Sequence, residues 1–198
     1  MTAGRLPAAG LLLAGGSSRR MGRDKLSLPW EGKTLLGRIA GVLTATLAET
    51  WVVGLPDTTP PPAWPGLRFV TEEAPIGPLG GLQAGLEAMA APAGIVVAAD
   101  MPFVDETAIR RLWALSGDAP AAVLRAADGA HPLFGVYRRE CLNAVRAVIR
   151  RGERRMSALW DEVPVRVLDV GDDPFWTRAL FNINSPADYE RALRARGE

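Results

Sequence analysis

The sequence predicts an α/β protein in three layers, with a mainly parallel β-sheet covered by helices on both faces. Short apolar runs alternate with segments whose apolar residues recur at helical spacing. The runs are nearly continuous in hydrophobicity, which is typical of strands that are buried on both faces. Repeated strand–helix–strand units require right-handed crossovers, and ligands of such sheets bind at the carboxyl ends of the strands.

Length and composition predict one soluble domain over residues 1–198. Hydrophobic residues make up 48% of the chain, which is enough for a sizeable core. Lysine and arginine number 23 against 22 acidic residues, so the net charge of +1 gives no reason to expect nucleic acid or a membrane as a partner. The single cysteine, Cys141, cannot form an internal disulfide, which suits a reducing cytoplasm. Its apolar neighbours indicate a buried structural thiol.

The first half of the chain predicts four strands and two helices. The first strand, Ala9–Ala14, is too short to cross a bilayer, and no small-residue cleavage site of a signal peptide follows it. Five prolines exclude regular structure between Leu55 and Gly66. The other predicted elements are a helix over Gly32–Ala48, strands at Thr50–Gly54 and Leu67–Thr71, a helix at Leu79–Met89 and a strand at Gly94–Asp100.

The second half predicts further strands and helices. Asp105 has the features of an N-cap for a helix that ends at Leu115. Ser185 precedes a proline and an acidic residue at the third helical position, which predicts the start of the last helix. Strands are predicted at Ala121–Arg125, Pro132–Tyr137 and Val163–Val170, with a helix over Cys141–Arg150.

A glycine-rich segment, LAGGSSRRMGRDK, occupies residues 13–25 after the first predicted strand. Its glycines allow the backbone to turn sharply and to point N–H groups at anionic oxygens. Arg19 and Lys25 supply the positive charge that a polyphosphate requires. The segment matches neither the P-loop nor the dinucleotide pattern GxGxxG. The alternative is a plain glycine turn followed by solvated basic residues.

Polar residues after the later strands have two interpretations each. Asp100 ends the apolar run GIVVAAD and could cap the next turn or bind magnesium at the edge of the sheet. Asn182 and Asn184 alternate in a strand-like segment, where they could face one site or form ordinary turns. Arg154 and Arg155 could be solvated charges or contacts to a phosphate.

These motifs together resemble the molybdenum cofactor guanylyltransferases, whose signature is LAGGxSxRMGxDK. The resemblance covers residues 10 to 190 in the order of that family. It continues at residues 77–82 (GPLGGL), 100–102 (DMP), 131–132 (HP), 152–155 (GERR) and 181–186 (FNINSP).

The resemblance implies a Rossmann-like nucleotidyltransferase fold that transfers GMP from GTP to the phosphate of molybdopterin. It implies Mg²⁺ as cofactor, held by Asp100, and a cytoplasmic location. It also implies contacts with a molybdenum-insertion protein and molybdoenzyme chaperones. The implied catalytic residues are Arg19, Lys25 and Asp100. The implied nucleotide-binding residues are Leu13, Ala14, Gly15, Gly16, Lys25, Glu72, Glu73, Gly80 and Asp100, and the implied acceptor-binding residues are Arg155, Asn182 and Asn184.

Two departures from the family pattern concern the nucleotide. Either Glu72 or Glu73 fits the acidic residue that precedes the glycine loop of residues 77–82. An asparagine often found after the second strand corresponds to Gly54, so the side-chain contact from that position is predicted to be absent.

The alternatives are a molybdopterin cytidylyltransferase, another nucleotidyltransferase such as a sugar-nucleotide pyrophosphorylase, and a catalytically silent nucleotide-binding domain. Gly15, Asn182 and Asn184 favour guanine, since the cytidylyltransferases tend to carry LAAG and an aspartate at these places. The sole histidine, His131, needs no role as a base, because a phosphate monoester is already ionised near neutral pH.

Overall fold

Seven strands form one sheet in the order β5-β4-β1-β6-β8-β7-β9 in the computed structural model, which describes residues 4–15, 25–55, 65–72 and 76–196. Only β8 runs antiparallel to its neighbours in this sheet. The seven strands are β1 (Leu6–Leu13), β4 (Leu47–Val53), β5 (Leu67–Val70), β6 (Ala93–Ala98), β7 (Ala121–Ala126), β8 (Gly129–Arg138) and β9 (Val165–Gly171). A separate hairpin is formed by β2 (Pro29–Trp30) and β3 (Lys33–Thr34).

Helices cover both faces of the sheet and enclose one apolar core on each side. One core contains buried residues of α1, α3, α5 and α6, and the other contains those of α2 and α4. The helices are α1 (Leu35–Thr46), α2 (Pro78–Ala88), α3 (Glu106–Ser116), α4 (Leu142–Arg150), α5 (Pro174–Ala179) and α6 (Pro186–Ala195). The predicted three-layer α/β class is therefore confirmed. Among the described residues, no helix has the length and apolar character needed to cross a bilayer.

The predicted elements occur in the predicted order, with shifts at their ends. The helix predicted over Gly32–Ala48 begins only at Leu35, because the hairpin of β2 and β3 occupies the preceding residues and the Thr34 hydroxyl accepts a hydrogen bond from the Gly37 N–H at 3.1 Å. Cys141 is buried, as predicted, and its thiol donates to the Pro120 carbonyl at 3.1 Å. Burial raises the pKa of this thiol to about 11, so it stays protonated at neutral pH.

Backbone hydrogen bonds hold the carboxyl ends of four strands at one level. The Ala14 N–H donates to Val53 at 2.8 Å, and the Gly54 N–H donates to Val70 at 3.0 Å. The Ala99 N–H donates to Leu13 at 3.0 Å. The chain moves outward through β4 and β5 and then returns to the other side of β1 as β6, so the strand order reverses between β1 and β6. A crevice at this point is the expected ligand site of an open α/β sheet.

A bulge shapes the start of β8 beside this crevice. Val123 pairs with Gly135, but the next residue, Leu124, pairs with His131, so three residues of β8 have no partner on β7, although Phe134 among them pairs with Val97 of β6. Pro132 lies in this bulge and has no N–H to donate. The hydroxyl of the buried Tyr137 donates to the Pro132 carbonyl at 2.8 Å, which holds the bulge in place.

At the opposite edge of the sheet, Glu49 joins β4 to the loop after α2. One carboxylate oxygen accepts from the N–H groups of Ala90 and Ala91 at 2.8 and 2.7 Å. The other accepts from Trp51 at 3.1 Å and from Arg68 at 3.0 Å. Burial alone raises the pKa of Glu49, but these bonds outweigh it and leave the pKa below the ordinary value of 4.5.

We expect Glu49→Gln to lower the free energy of unfolding by about 2 kcal/mol at neutral pH, because hydrogen bonds to a charged acceptor are lost. The folded-state pKa is depressed, so the contribution is complete above 4.5 and is lost as the pH falls through the folded value. Urea unfolding should therefore show a gap between the two proteins that narrows below pH 4.5. Glu87→Gln, which breaks an exposed ion pair with Arg146, is the control and should cost under about 1 kcal/mol. A gap of constant size at every pH would contradict this role.

Candidate active site

Gly15 is the second residue after β1, and a Cβ built on it would lie 3.7 Å from the Cα of Gly54, which follows β4. The Ala14 N–H is bonded to Val53, and Leu13 is almost fully buried, so these two residues can reach a nucleotide only through other backbone atoms. Lys25 begins a short 3-10 helix, Lys25–Ser27. The predicted contacts of Gly16, Arg19, Glu73 and the Lys25 side chain lie outside the described residues.

The carboxylate of Glu72 lies in a cradle of three glycines. Glu72 follows β5, and its side chain crosses the end of β4 to reach the end of β1. A Cβ built on Gly54 would lie 2.5 Å from Glu72 Oε1, and one built on Gly15 would lie 2.8 Å from it. A Cβ on Gly81, in the first turn of α2, would lie at 3.4 Å. Any side chain at position 54 or 15 would therefore push this carboxylate away.

The three glycines and their surroundings partly remove the Glu72 carboxylate from water, and no hydrogen bond from the described residues offsets the cost of this desolvation. Within the described residues, no donor makes a hydrogen bond to Glu72, and burial raises its pKa above 4.5. A desolvated carboxylate at the carboxyl edge of a parallel sheet is a mark of a functional site, because such a group is costly unless a ligand satisfies it. Gly54 has no side chain to contact a nucleotide, as predicted, and the Glu72 carboxylate occupies the space that a side chain at position 54 would need.

Asp100 lies two residues beyond β6 and is half-buried. Its backbone carbonyl accepts a hydrogen bond from the Ile183 N–H at 2.9 Å, which joins it to the segment of Asn182 and Asn184. Asp105, rather than Asp100, caps α3, since its carboxylate accepts from the Ala108 N–H at 2.7 Å. The prediction that Asp105 is the N-cap of α3 is therefore confirmed.

The donor chemistry at Asp100 fits Mg²⁺ bound together with a nucleotide. Across the described ranges, no cluster of three or more His, Cys, Asp or Glu side chains is arranged to hold an ion. Mg²⁺ in nucleotide sites typically takes one or two carboxylates and completes its octahedron with phosphate oxygens and water. A single carboxylate at the crevice is sufficient for such an ion.

Asn182 and Asn184 line a cavity of about 440 Å³. The prediction that they lie in a strand is wrong, because residues 181–184 form no ladder, but the buried Ile183 between them leaves both asparagines on the cavity. The Asn182 amide donates to the Leu180 carbonyl at 2.8 Å. The Asn184 N–H donates at 3.0 Å to Asp188, in the predicted capping box of α6.

Arg154 and Arg155 line a second cavity, of about 380 Å³, whose other walls include Pro78 and Pro132. Both arginines are exposed. The predicted acceptor residues are therefore divided, with Arg155 in this cavity and the two asparagines in the other. His131 lies on the hairpin of β7 and β8, with its Nε2 2.7 Å from the Asp128 carboxylate.

Sequence reasoning missed the part that Gly54 and Gly81 play. Gly80, the glycine that was predicted, lies in the first turn of α2 and is buried, but it is Gly81 that approaches Glu72. The only signal was the presence of glycine at strand and helix ends, where a close approach of two chain segments often requires it. The sequence around Gly54 and Gly81 does not indicate that Glu72 is the residue that approaches them.

Comparison with known proteins identifies the class. Residues 10–166 match the family model of the MobA-like NTP transferase domain. The fold and the strand-end site thus define a nucleotidyltransferase. The chain belongs to the MobA-like NTP transferase family.

Relatives and solved structures agree with this assignment. The chain is 38% identical over 190 residues to a probable molybdenum cofactor guanylyltransferase of Mycobacterium tuberculosis, covering 92% of this chain and 91% of that protein. A protein of the same description from Opitutus terrae is 35% identical, with 98% of each chain covered. The fold matches molybdopterin-guanine dinucleotide biosynthesis protein A of Archaeoglobus fulgidus with a TM-score of 0.77, at 23% identity and over 93% of this chain and 96% of that one.

We expect Gly54→Ala to destabilise the protein more than Gly32→Ala, and urea unfolding measures the difference. Both glycines have left-handed backbone angles, with φ of +72° and +75°, so alanine at either costs about 1–2 kcal/mol of strain. Only at position 54 does the new methyl group meet Glu72, because nothing lies within 4 Å of a Cβ at position 32. The methyl group would also lie 3.2 Å from the Gly15 Cα, and because that backbone cannot yield as easily as the Glu72 side chain, the crowding adds about 1 kcal/mol.

The Glu72→Ala background supplies the control for this prediction. Removing the carboxylate should lower the cost of Gly54→Ala but leave it above that of Gly32→Ala, since the methyl group would still lie 3.2 Å from the Gly15 Cα. An unchanged cost in that background would mean that the two residues do not compete for the same space.

Proposed function

We propose that this protein transfers GMP from GTP to the phosphate of molybdenum-bound molybdopterin, forming the guanine dinucleotide cofactor and releasing pyrophosphate, with Mg²⁺ as the metal. Relatives described as probable molybdenum cofactor guanylyltransferases align with more than nine-tenths of the chain and support the substrate. The observation that carries the proposal is the close approach of Gly15, Gly54 and the Glu72 carboxylate at the carboxyl edge of the sheet, the same edge at which Asp100 follows β6.

In this proposal the triphosphate binds at the turn after β1. Gly15 and Gly16 bring backbone N–H groups close to the phosphates, and Arg19 and Lys25 neutralise their charge. Asp100 would hold Mg²⁺, which when bound draws electron density from the phosphate oxygens and favours departure of pyrophosphate. A divalent ion is also present in a structural neighbour from M. tuberculosis, 20% identical, which was crystallised with manganese.

The guanosine moiety lies against Glu72 rather than Glu73. An ionised carboxylate only accepts hydrogen bonds, and the guanine base and the ribose both offer N–H or O–H donors to it. The three glycines bring this acceptor to within contact of the turn after β1, which is where the nucleotide must lie if its phosphates bind there. The ligand would repay the desolvation of the carboxylate.

The acceptor approaches from the half of the sheet that contains β7 and β8. Arg154 and Arg155 supply cations for its phosphate beside the flat apolar surfaces of Pro78 and Pro132. Asn182 and Asn184 offer amide donors and acceptors on the other side of the hairpin. The hydrogen bond from Ile183 to Asp100 keeps the asparagines next to the reacting phosphates.

The chemical step is an in-line displacement. A phosphate oxygen of molybdopterin forms a bond to the α-phosphorus of GTP while the bond from that phosphorus to the bridging oxygen of the β-phosphate breaks. The leaving pyrophosphate takes the electron pair. The acceptor phosphate is already ionised, so no base is required, and His131 remains with Asp128. The protein contributes positioning and charge stabilisation, without a covalent intermediate.

Calorimetry of GTP, CTP and ATP binding, with and without Mg²⁺, tests the proposal. We expect the native protein to prefer GTP in the presence of Mg²⁺, and Asp100→Ala to lose the dependence on Mg²⁺. Asp118→Ala, which removes a fully exposed carboxylate, is the control and should bind as the native protein does. Preference for CTP would indicate a cytidylyltransferase, and absence of nucleotide binding would overturn the catalytic proposal.

The pH dependence of GTP binding tests the role of Glu72. Its pKa is raised by burial, so it protonates at a higher pH than an ordinary glutamate and ceases to be a pure acceptor. We expect GTP affinity to decline as the pH is lowered towards 4.5, beginning above that value. Glu72→Gln should bind GTP more weakly at neutral pH and lack this component of the decline. Identical pH profiles for the two proteins would exclude Glu72 as a contact.

A further inference from the structure

Three aromatic rings form a continuous cluster beside the crevice. Phe103 lies in the middle, with its centroid 5.7 Å from that of Trp30 and 5.8 Å from that of Phe181. The interplanar angles of 79° and 64° correspond to edge-to-face contacts. This geometry brings the positive edge of one ring to the negative face of the next.

Each ring belongs to a segment that carries a residue of the proposed site. Trp30 follows Lys25 by five positions, Phe103 follows Asp100 by three, and Phe181 immediately precedes Asn182. These three segments are distant in the sequence and come from different parts of the fold. Phe103 is the ring that contacts both of the others.

The surroundings of the cluster add directional contacts. The Arg178 guanidinium lies 4.4 Å from the centroid of Phe103, and that of Arg191 lies 5.4 Å from Phe181, both within the range of cation–π attraction. The Tyr189 hydroxyl donates to the Pro29 carbonyl at 2.6 Å, which ties α6 to the hairpin that holds Trp30. Arg38 donates to the Val104 carbonyl and fixes the other side of the turn.

We propose that Phe103 is a positioning residue for the turn that carries Asp100. Its two ring contacts set the place of that turn relative to the Lys25 segment and the Asn182 segment. The inference rests on the proposed function, in which Asp100 holds a metal ion and Lys25 holds the phosphates.

A side chain that only filled the volume of Phe103 would not fix the position of the Asp100 turn. A leucine at position 103 fills much of the space but has no ring edge or face, so it loses the angular preference of both contacts and the attraction of Arg178. The turn can then shift against its neighbours. Displacement of a ligand group by about 1 Å is sufficient to cost up to about 100-fold in a precisely arranged site.

The test compares Phe103→Leu with Phe175→Leu. Phe175 is a matched control, since it is also half-buried, stacks edge-to-face on Trp176 with centroids 5.0 Å apart, and lies 4.2 Å from the Arg111 guanidinium. It belongs to α5, and among the described residues its ring makes no ring–ring contact with Trp30, Phe103 or Phe181. Calorimetric titration of GTP binding against Mg²⁺ is the first readout. Hydrogen exchange of the Ile183 amide, which donates to Asp100, is the second.

We expect Phe103→Leu to need about tenfold more Mg²⁺ for the same GTP binding and to expose the Ile183 amide to faster exchange. Phe103→Tyr, which keeps the ring, should match the native protein in both the Mg²⁺ dependence of GTP binding and the exchange rate of the Ile183 amide. Phe175→Leu should lower thermal stability by a similar amount and leave both unchanged. Equal behaviour of the two leucine variants would overturn the proposal.

A second variant and the exchange measurement distinguish a failure of the positioning role from a failure of the proposed function. If Phe103→Leu does not fold, Arg178→Gln keeps all three rings but removes the cation from the Phe103 face, together with the hydrogen bond that Arg178 donates to the Ala195 carbonyl. A smaller shift in Mg²⁺ dependence is then expected, and no shift would contradict the proposal. If the native protein binds no nucleotide, the proposed function fails, whereas faster exchange at Ile183 in Phe103→Leu alone would still reveal the positioning role.

Discussion

The backbone hydrogen bonds that level the carboxyl ends of β1, β4, β5 and β6 are the constraint on which the site depends. They bring Gly15, Gly54 and the turn of Asp100 to one edge without any side chain having to reach across the sheet. Only then can Glu72 extend from the end of β5 to the end of β1. A shift of one residue in a strand would move each of its side chains from the core on one face of the sheet to the core on the other, so the packing of both cores also fixes the level of the strand ends.

Glu49 and Glu72 lie in opposite electrostatic environments, and their pKa values are shifted in opposite directions. Glu49 accepts four hydrogen bonds at the amino edge of the sheet, and its pKa is lowered in spite of burial. Glu72 lies at the carboxyl edge, accepts none from the described residues, and has a raised pKa. The first arrangement stabilises the fold, whereas the second costs free energy and is typical of a group that awaits a ligand.

The sequence predicted the periodic elements well, because their apolar patterns are long enough to separate strand from helix. It missed the β2–β3 hairpin and α5, which are too short to show a period, although Asp173 and Pro174 repeat the cap-and-proline pattern that revealed α6. It predicted that Asn182 and Asn184 face the same side, and both line one cavity, but it assigned them to a strand that does not form. The contact between Gly54 and Glu72 was beyond reach, since the residues are on different strands and only the packed sheet brings them together.

The aromatic cluster supplies, through side chains, an order that the backbone hydrogen bonds of the sheet do not provide. Hydrogen bonds between strands can level the strand ends, but they do not reach three segments that carry site residues. These are the short 3-10 helix of Lys25, the turn of Asp100 after β6, and the loop of Asn182 between α5 and α6. Loops of this kind need another source of order, and edge-to-face rings supply it because they restrict angle as well as distance. The cluster joins residues on the β2 hairpin, the turn after β6 and the segment before α6, so it orders three loops with one central ring. The fold thus determines where the strands end, and Phe103 governs how the loops that follow them are arranged.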